Sequence, residues 1–180
     1  FNSGGSILLT LEKGTWRMLW YKGGVTTLNC HRVALKGRRE MLVCWGQTGG
    51  QGYLGTEIYV EDLLNPARVL MAGDDGMIFQ AFDDAGTCGW DVLDDDKANP
   101  IKRDYVERVI FENTAEGTIK GLSILGRRGT RPMTVSDVKA CVAEQNPNKP
   151  HKGVDFTPTT KPYRVDFDFD GKSFRRRSGR

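Results

Sequence analysis

The residues best spaced for chemistry are Asp166, Asp168 and Asp170, followed at once by Gly171. Alternating carboxylates ahead of a glycine are how a calcium loop wraps a hard cation and then turns. Such a loop needs a bidentate acid at its twelfth position, and Arg177 stands there. Phe167 and Phe169 alternate with the aspartates, the pattern of a strand with one apolar face, so the segment reads as a hairpin. The acidic groups Asp74-Asp75, Asp83-Asp84 and Asp94-Asp95-Asp96 would collect a cation only if their loops converged, and they read as turn residues.

Gly50, Gly52 and Gly55 have the G-x-G-x-x-G spacing of a dinucleotide-binding turn, whose glycines let a pyrophosphate approach backbone at a helix N-terminus. The next residues, Thr56-Glu57-Ile58-Tyr59-Val60, are β-branched and aromatic, which excludes that helix. Two histidines, His31 and His151, limit zinc and triad chemistry. His31 adjoins Cys30, but strand neighbours point to opposite faces, so the two make a poor dyad. There is no Gly-x-Ser-x-Gly elbow. The sequence therefore assigns no catalytic residue, no metal ligand and no cofactor.

The four cysteines are Cys30, Cys44, Cys88 and Cys141. Residues 30–44 read as two strands about a turn at Gly37, and pairing positions whose numbers sum to 74 sets Cys30 opposite Cys44. Directly opposed residues have Cβ atoms roughly 4.5–5.5 Å apart, near what a disulfide needs. Cys88–Cys141 is then the second bridge. Disulfides form in oxidising compartments, and a first residue of Phe1 fits a processed chain, so an extracellular or periplasmic location is expected.

Charge narrows the partners. The chain of 180 residues has 26 Lys+Arg against 23 Asp+Glu, a net +3. Without Arg175, Arg176, Arg177 and Arg180 the remaining net charge falls from +3 to −1. The body is thus not basic, and no nucleic-acid partner is expected; the arginines read as a solvated terminus. The longest apolar stretches, such as residues 41–45, are far shorter than the ~20 residues of a membrane helix.

The elements that would position any site are mostly strands. Residues 6–11 and 15–21 form a first hairpin, with Trp16 and Trp20 on one face by parity. Residues 25–35 and 40–45 form the cysteine hairpin, and 56–64 a further strand. Residues 68–71, 77–82 and 88–93 read as a meander joined by Asp/Gly turns; 105–111 and 118–125 make another hairpin. Thr134 and Asp137 spell a capping box for one helix over 134–145, with Cys141 on its core face. Residues 146–162 form a proline-rich loop, since proline is excluded from central strands. In the closing hairpin, 163–176, the Asp170-Gly171 turn pairs Phe167 with Phe174.

Within residues 26–64, the segment Gly37-Arg38-Arg39-Glu40-Met41-Leu42-Val43-Cys44, the glycines 49, 50 and 52, and residues 56–63 resemble a blade of secreted FG-GAP-type β-propellers, which are mostly extracellular binding scaffolds. The turn lacks that family's metal-binding aspartates, and 180 residues are too few for a seven-bladed ring.

The expected fold is mainly β, α+β by count of elements. It is a single β-rich domain over residues 1–180, an antiparallel sandwich or barrel with one short helix. The expected function is a non-catalytic binding module for a protein or glycan partner. Its site would be the Gly46–Gly55 loop with Gly49, Gly50, Gln51, Gly52, Tyr53 and the neighbouring Trp45. The competing readings are a small hydrolase using acidic loops, recognisable by Asp and His converging in a cleft, and a structural subunit of an assembly.

Overall fold

The computed structural model describes residues 5–23, 26–34, 40–50, 52–62, 77–89, 98–115, 118–148, 152–171 and 173–177. Among these residues ten strands and one α-helix succeed one another as β1 (Gly5–Glu12), β2 (Thr15–Gly23), β3 (Thr26–Ala34), β4 (Glu40–Gly50), β5 (Tyr53–Asp62), β6 (Met77–Asp83), β7 (Ile101–Asn113), β8 (Ile119–Arg131), α1 (Val135–Glu144), β9 (Lys161–Phe169) and β10 (Phe174–Arg176). All pairings are antiparallel. They make a β1-β2 ribbon and two four-stranded sheets, in the orders β3-β4-β5-β6 and β10-β9-β8-β7. Each order is linear, so no barrel closes among the described residues.

The two larger sheets form a sandwich because alternate residues of each present an apolar face. Met41, Val43, Ile58, Val60, Ile78 and Ala81 of one sheet meet Val106, Ile119, Leu122, Ile124, Val165, Phe167 and Phe174 of the other. Leu122 and Ile124 are fully buried, each contributing roughly 1.5–3 kcal/mol of transfer free energy. Strands β3, β4 and β5 form an antiparallel meander whose inner face packs on the β7–β10 sheet.

A smaller core lies beside it, made of Cys88, Ile101, Met133, Val138, Cys141 and Phe156. Helix α1 begins where its cap dictates: the Thr134 hydroxyl accepts from the Asp137 N–H at 3.1 Å, and the Thr134 N–H donates to the Asp137 carboxylate at 2.9 Å. The Cys88–Cys141 disulfide ties the helix to the turn after β6. The proline-rich segment packs over this core through Phe156 and Pro158, both buried, and the Arg131 guanidinium donates to the Asp155 carbonyl at 2.7 Å.

Several local expectations need correction. Cys30 does face Cys44, and the two are bonded. In the closing hairpin, however, Phe174 pairs with Phe169 and Arg176 with Phe167, two residues from the expected register. The Asp170 carboxylate accepts from the Ser173 N–H at 2.8 Å, so a longer Asx-type turn replaces the two-residue one. The shift is even, so each side chain keeps its face. In β1-β2, Leu8 pairs with Trp20 but Leu9 with Met18; the bulge at Leu19 gives positions 16 and 20 opposite parity.

Other differences have equally local causes. Cys88 and Gly89 have φ of 58° and 72°, left-handed values that preclude a strand starting at 88, and residues 68–71 and 90–93 lie outside the described residues. Pro162 lies within β9 because β10 covers only Phe167–Phe169, which leaves the first part of β9 as an edge. Of the terminal arginines, Arg175 and Arg177 are paired, and Arg180 lies outside the described residues. Arg175 pairs with Asp170 at 3.0 Å, and Arg177 reaches both Asp168 and Glu112.

Candidate functional site

The Gly46–Gly55 loop proves to be a hairpin. Strand β4 runs on through Gly49 and Gly50, which pair with Leu54 and Tyr53, and Gly52 has φ 88° in the tight turn. Gln51 lies outside the described residues. Parity then divides the expected site. Trp45 shares the inner face with Val43 and lines a cavity between the sheets. Gly52 and Tyr53 instead line a groove of about 460 Å³ at the end of the sandwich, with Leu54, Asp83, Ala85, Gly86, Arg103 and Thr157.

Each wall of the groove is fixed by backbone. Gly52 approaches Gly86 so closely that a Cβ on Gly52 would lie 2.3 Å from the Gly86 carbonyl oxygen. The turn carrying Gly86 is held in turn by the Asp84 N–H, which donates to the Lys102 carbonyl at 3.0 Å, and by the Gln145 amide, which donates to the Gly86 carbonyl at 2.9 Å. Gly55 stands opposite Phe82, and the Tyr53 and Phe82 rings stack with their centroids 5.3 Å apart. Both rings are exposed.

The polar pair of the groove is Asp83 and Arg103. Asp83 Oδ1 accepts from the Ala85 N–H at 3.0 Å, and Arg103 Nε lies 3.3 Å from Asp83 Oδ2. That Nε is buried and lacks hydrogen-bond geometry to any partner, so the contact is an ion pair with donor capacity left over. The Arg103 guanidinium also sits 5.4 Å from the Tyr105 ring centroid. A carboxylate and a guanidinium are thereby held side by side in a groove that one ring of the stack, Tyr53, also lines. Preorganised polar groups on rigid elements lose little on binding.

Asp83, Gly86, Arg103 and Thr157 were not legible as site residues. Asp83 to Gly86 reads as an ordinary acidic turn, and only the sheet register brings it to β7.

The outer face of the β7–β10 sheet carries a second polar group with a structural role. Ser123 is 1 % exposed in mid-strand; its hydroxyl donates to Asp166 at 2.6 Å and accepts from Arg164 at 2.9 Å. The Ser123 bond, then Arg164, hold the Asp166 carboxyl below its ordinary range, and Arg177 does the same for Asp168. The alternating aspartates Asp166, Asp168 and Asp170 thus each pair with an arginine. Among the described residues no three His, Cys, Asp or Glu side chains gather as a metal site.

Nor do an aspartate and a histidine converge among them: Asp83 faces Arg103, whereas His31 contacts Phe111 at 4.7 Å between ring centroids. His151 lies outside the described residues. No helix among the described residues is long and apolar enough to cross a membrane.

No family model, curated protein or solved structure matches the chain.

Proposed function

We propose that this chain is a non-catalytic binding module of an extracellular or periplasmic protein, and that the groove beside the β4–β5 turn holds a glycan. The observation that carries this reading is the fixed Asp83–Arg103 pair in a groove that the exposed Tyr53 ring also lines. A sugar ring offers an apolar C–H face to an aromatic ring and adjacent hydroxyls to a carboxylate and a guanidinium. The two disulfides support the oxidising compartment.

The test is calorimetry with a panel of neutral hexasaccharides, comparing wild type with Tyr53→Ala and Asp83→Asn. Binding to at least one glycan, weakened roughly tenfold or more by either substitution, is expected from loss of one ring contact or one charged hydrogen bond. Equal binding by wild type and both variants would sink the assignment of the groove. No binding to the panel, with capture of a peptide that the same variants abolish, would replace the glycan by a protein.

One observation favours a second reading, a subunit of a larger assembly. By register, Ile7, Leu9, Leu11, Trp16, Met18 and Tyr21 share one face of the β1-β2 ribbon, and each is 49–65 % exposed. Contiguous apolar surface of this kind marks interaction sites. If two copies pair through it, light scattering will show a dimer that Trp16→Ser with Met18→Ser converts to monomer.

A further inference from the structure

We propose that the cavity between the sheets is a second binding site, for a small single-ring aromatic carboxylate. It is lined by Asn29 and His31 of β3, Val43, Cys44 and Trp45 of β4, Ile58 of β5, and Arg108, Val109 and Phe111 of β7. It shares no residue with the groove, so it stands independently of the glycan reading.

Size and wall chemistry select a ring. The cavity volume is about 180 Å³; an apolar cavity of about 150 Å³ already admits benzene. Val43 and Ile58 are core residues at 2 % and 0 % exposure. His31 and Phe111, one from each sheet, meet at 4.7 Å with planes inclined by 53°, so one wall is aromatic.

The polar groups select an anion. Trp45 is part of the cavity wall, so its indole reports on what enters the cavity. Arg108 lines the cavity yet is exposed, and it forms no ion pair among the described residues. The bulge of β7 between Val106 and Arg108 sets this residue's position in the strand, and bulges commonly re-aim a side chain. The unpaired guanidinium at the solvent side matches a ring bearing one carboxylate. Toluene and phenylacetamide would both leave it without a counter-charge.

The test is titration of the intact, oxidised protein with phenylacetate, monitored through the indole N–H resonances in ¹H–¹⁵N spectra. Trp45→Phe assigns the reporter. A saturable shift of the Trp45 signal is expected, with phenylacetamide and toluene binding about tenfold more weakly, the factor expected for one charged hydrogen bond. Arg108→Gln should reduce phenylacetate affinity by a similar factor and leave toluene unaffected. Val109→Phe, which fills the cavity, should abolish all three responses; if that variant does not fold, Arg108→Gln still decides, because it alters an exposed side chain. Absence of a saturable shift up to about 10 mM, or equal responses to phenylacetate and toluene, would overturn the proposal.

Discussion

Gly52 and Gly86 touch through their backbones: a Cβ on the first would meet the carbonyl oxygen of the second at 2.3 Å, and the reverse contact would be 2.4 Å. The β4–β5 turn and the turn after β6 are clasped there, and the groove between Tyr53 and Asp83 keeps its shape because neither glycine has a side chain.

Gly52→Ala therefore carries two penalties, its φ of 88° and the collision with Gly86. Gly14 is a built-in control, because its φ is 80° with nothing within 4 Å of a new Cβ. Gly14→Ala should lower the unfolding free energy by about 1 kcal/mol and Gly52→Ala by about 3 kcal/mol. Urea denaturation of the two variants measures the difference. Equal losses would mean that the clasp relaxes freely.

The two disulfides close loops of unequal length, with sequence separations of 14 for Cys30–Cys44 and 53 for Cys88–Cys141. In the chain-entropy account they are worth about 3 and about 4 kcal/mol. Replacing Cys88 and Cys141 together by Ala should also remove the helical far-ultraviolet signal first, because that bridge runs through the small core beneath α1. Loss of both signals together would show that the small core has no independent stability.

Acid should weaken the β7–β10 sheet. The Asp166 and Asp168 carboxyls are held below their ordinary range, by the Ser123 hydrogen bond and by Arg177 respectively. Both bind protons less tightly folded than unfolded, so their contribution is complete above the unfolded value near pH 4 and is lost as the pH falls through the folded values. Between about pH 5 and about pH 2, Asp166→Asn should show a shallower fall in unfolding free energy than wild type. Identical slopes would place the acid sensitivity elsewhere.

Thr134→Ala should cost about 1 kcal/mol, since it leaves the Asp137 N–H without its side-chain acceptor. Thr134→Ser should restore most of it. Thermal unfolding of the pair distinguishes loss of the cap from loss of the threonine methyl.

How much could be read from the chain depends on the range of the forces involved. The Cys30–Cys44 pairing and the Thr134 cap were legible because each is local: the cap joins residues three apart, and the cysteines, 14 apart, face each other across two consecutive strands whose parity decides. The closing hairpin was legible in its faces but not its register, since Asp170 captures the Ser173 N–H, a local choice that no apolar pattern records. The bulge at Leu19 escaped for the same reason. The groove was half legible: Gly52 and Tyr53 announce a tight aromatic turn, but Asp83 and Arg103 reach it only through the β5-β6 register and the packing of β7. Trp45 stands apart from that groove, because its parity with Val43 sends it between the sheets.

The Cys88–Cys141 bridge reaches beyond the helix it anchors. Gln145, the C-cap of α1, holds the Gly86 carbonyl, and Gly86 is a wall of the groove. The residues of the small core are all distinct from those of the sandwich core. The disulfide, the helix end and the groove wall thus form one connected path, so the shape of the groove depends on a covalent bond that lies outside it.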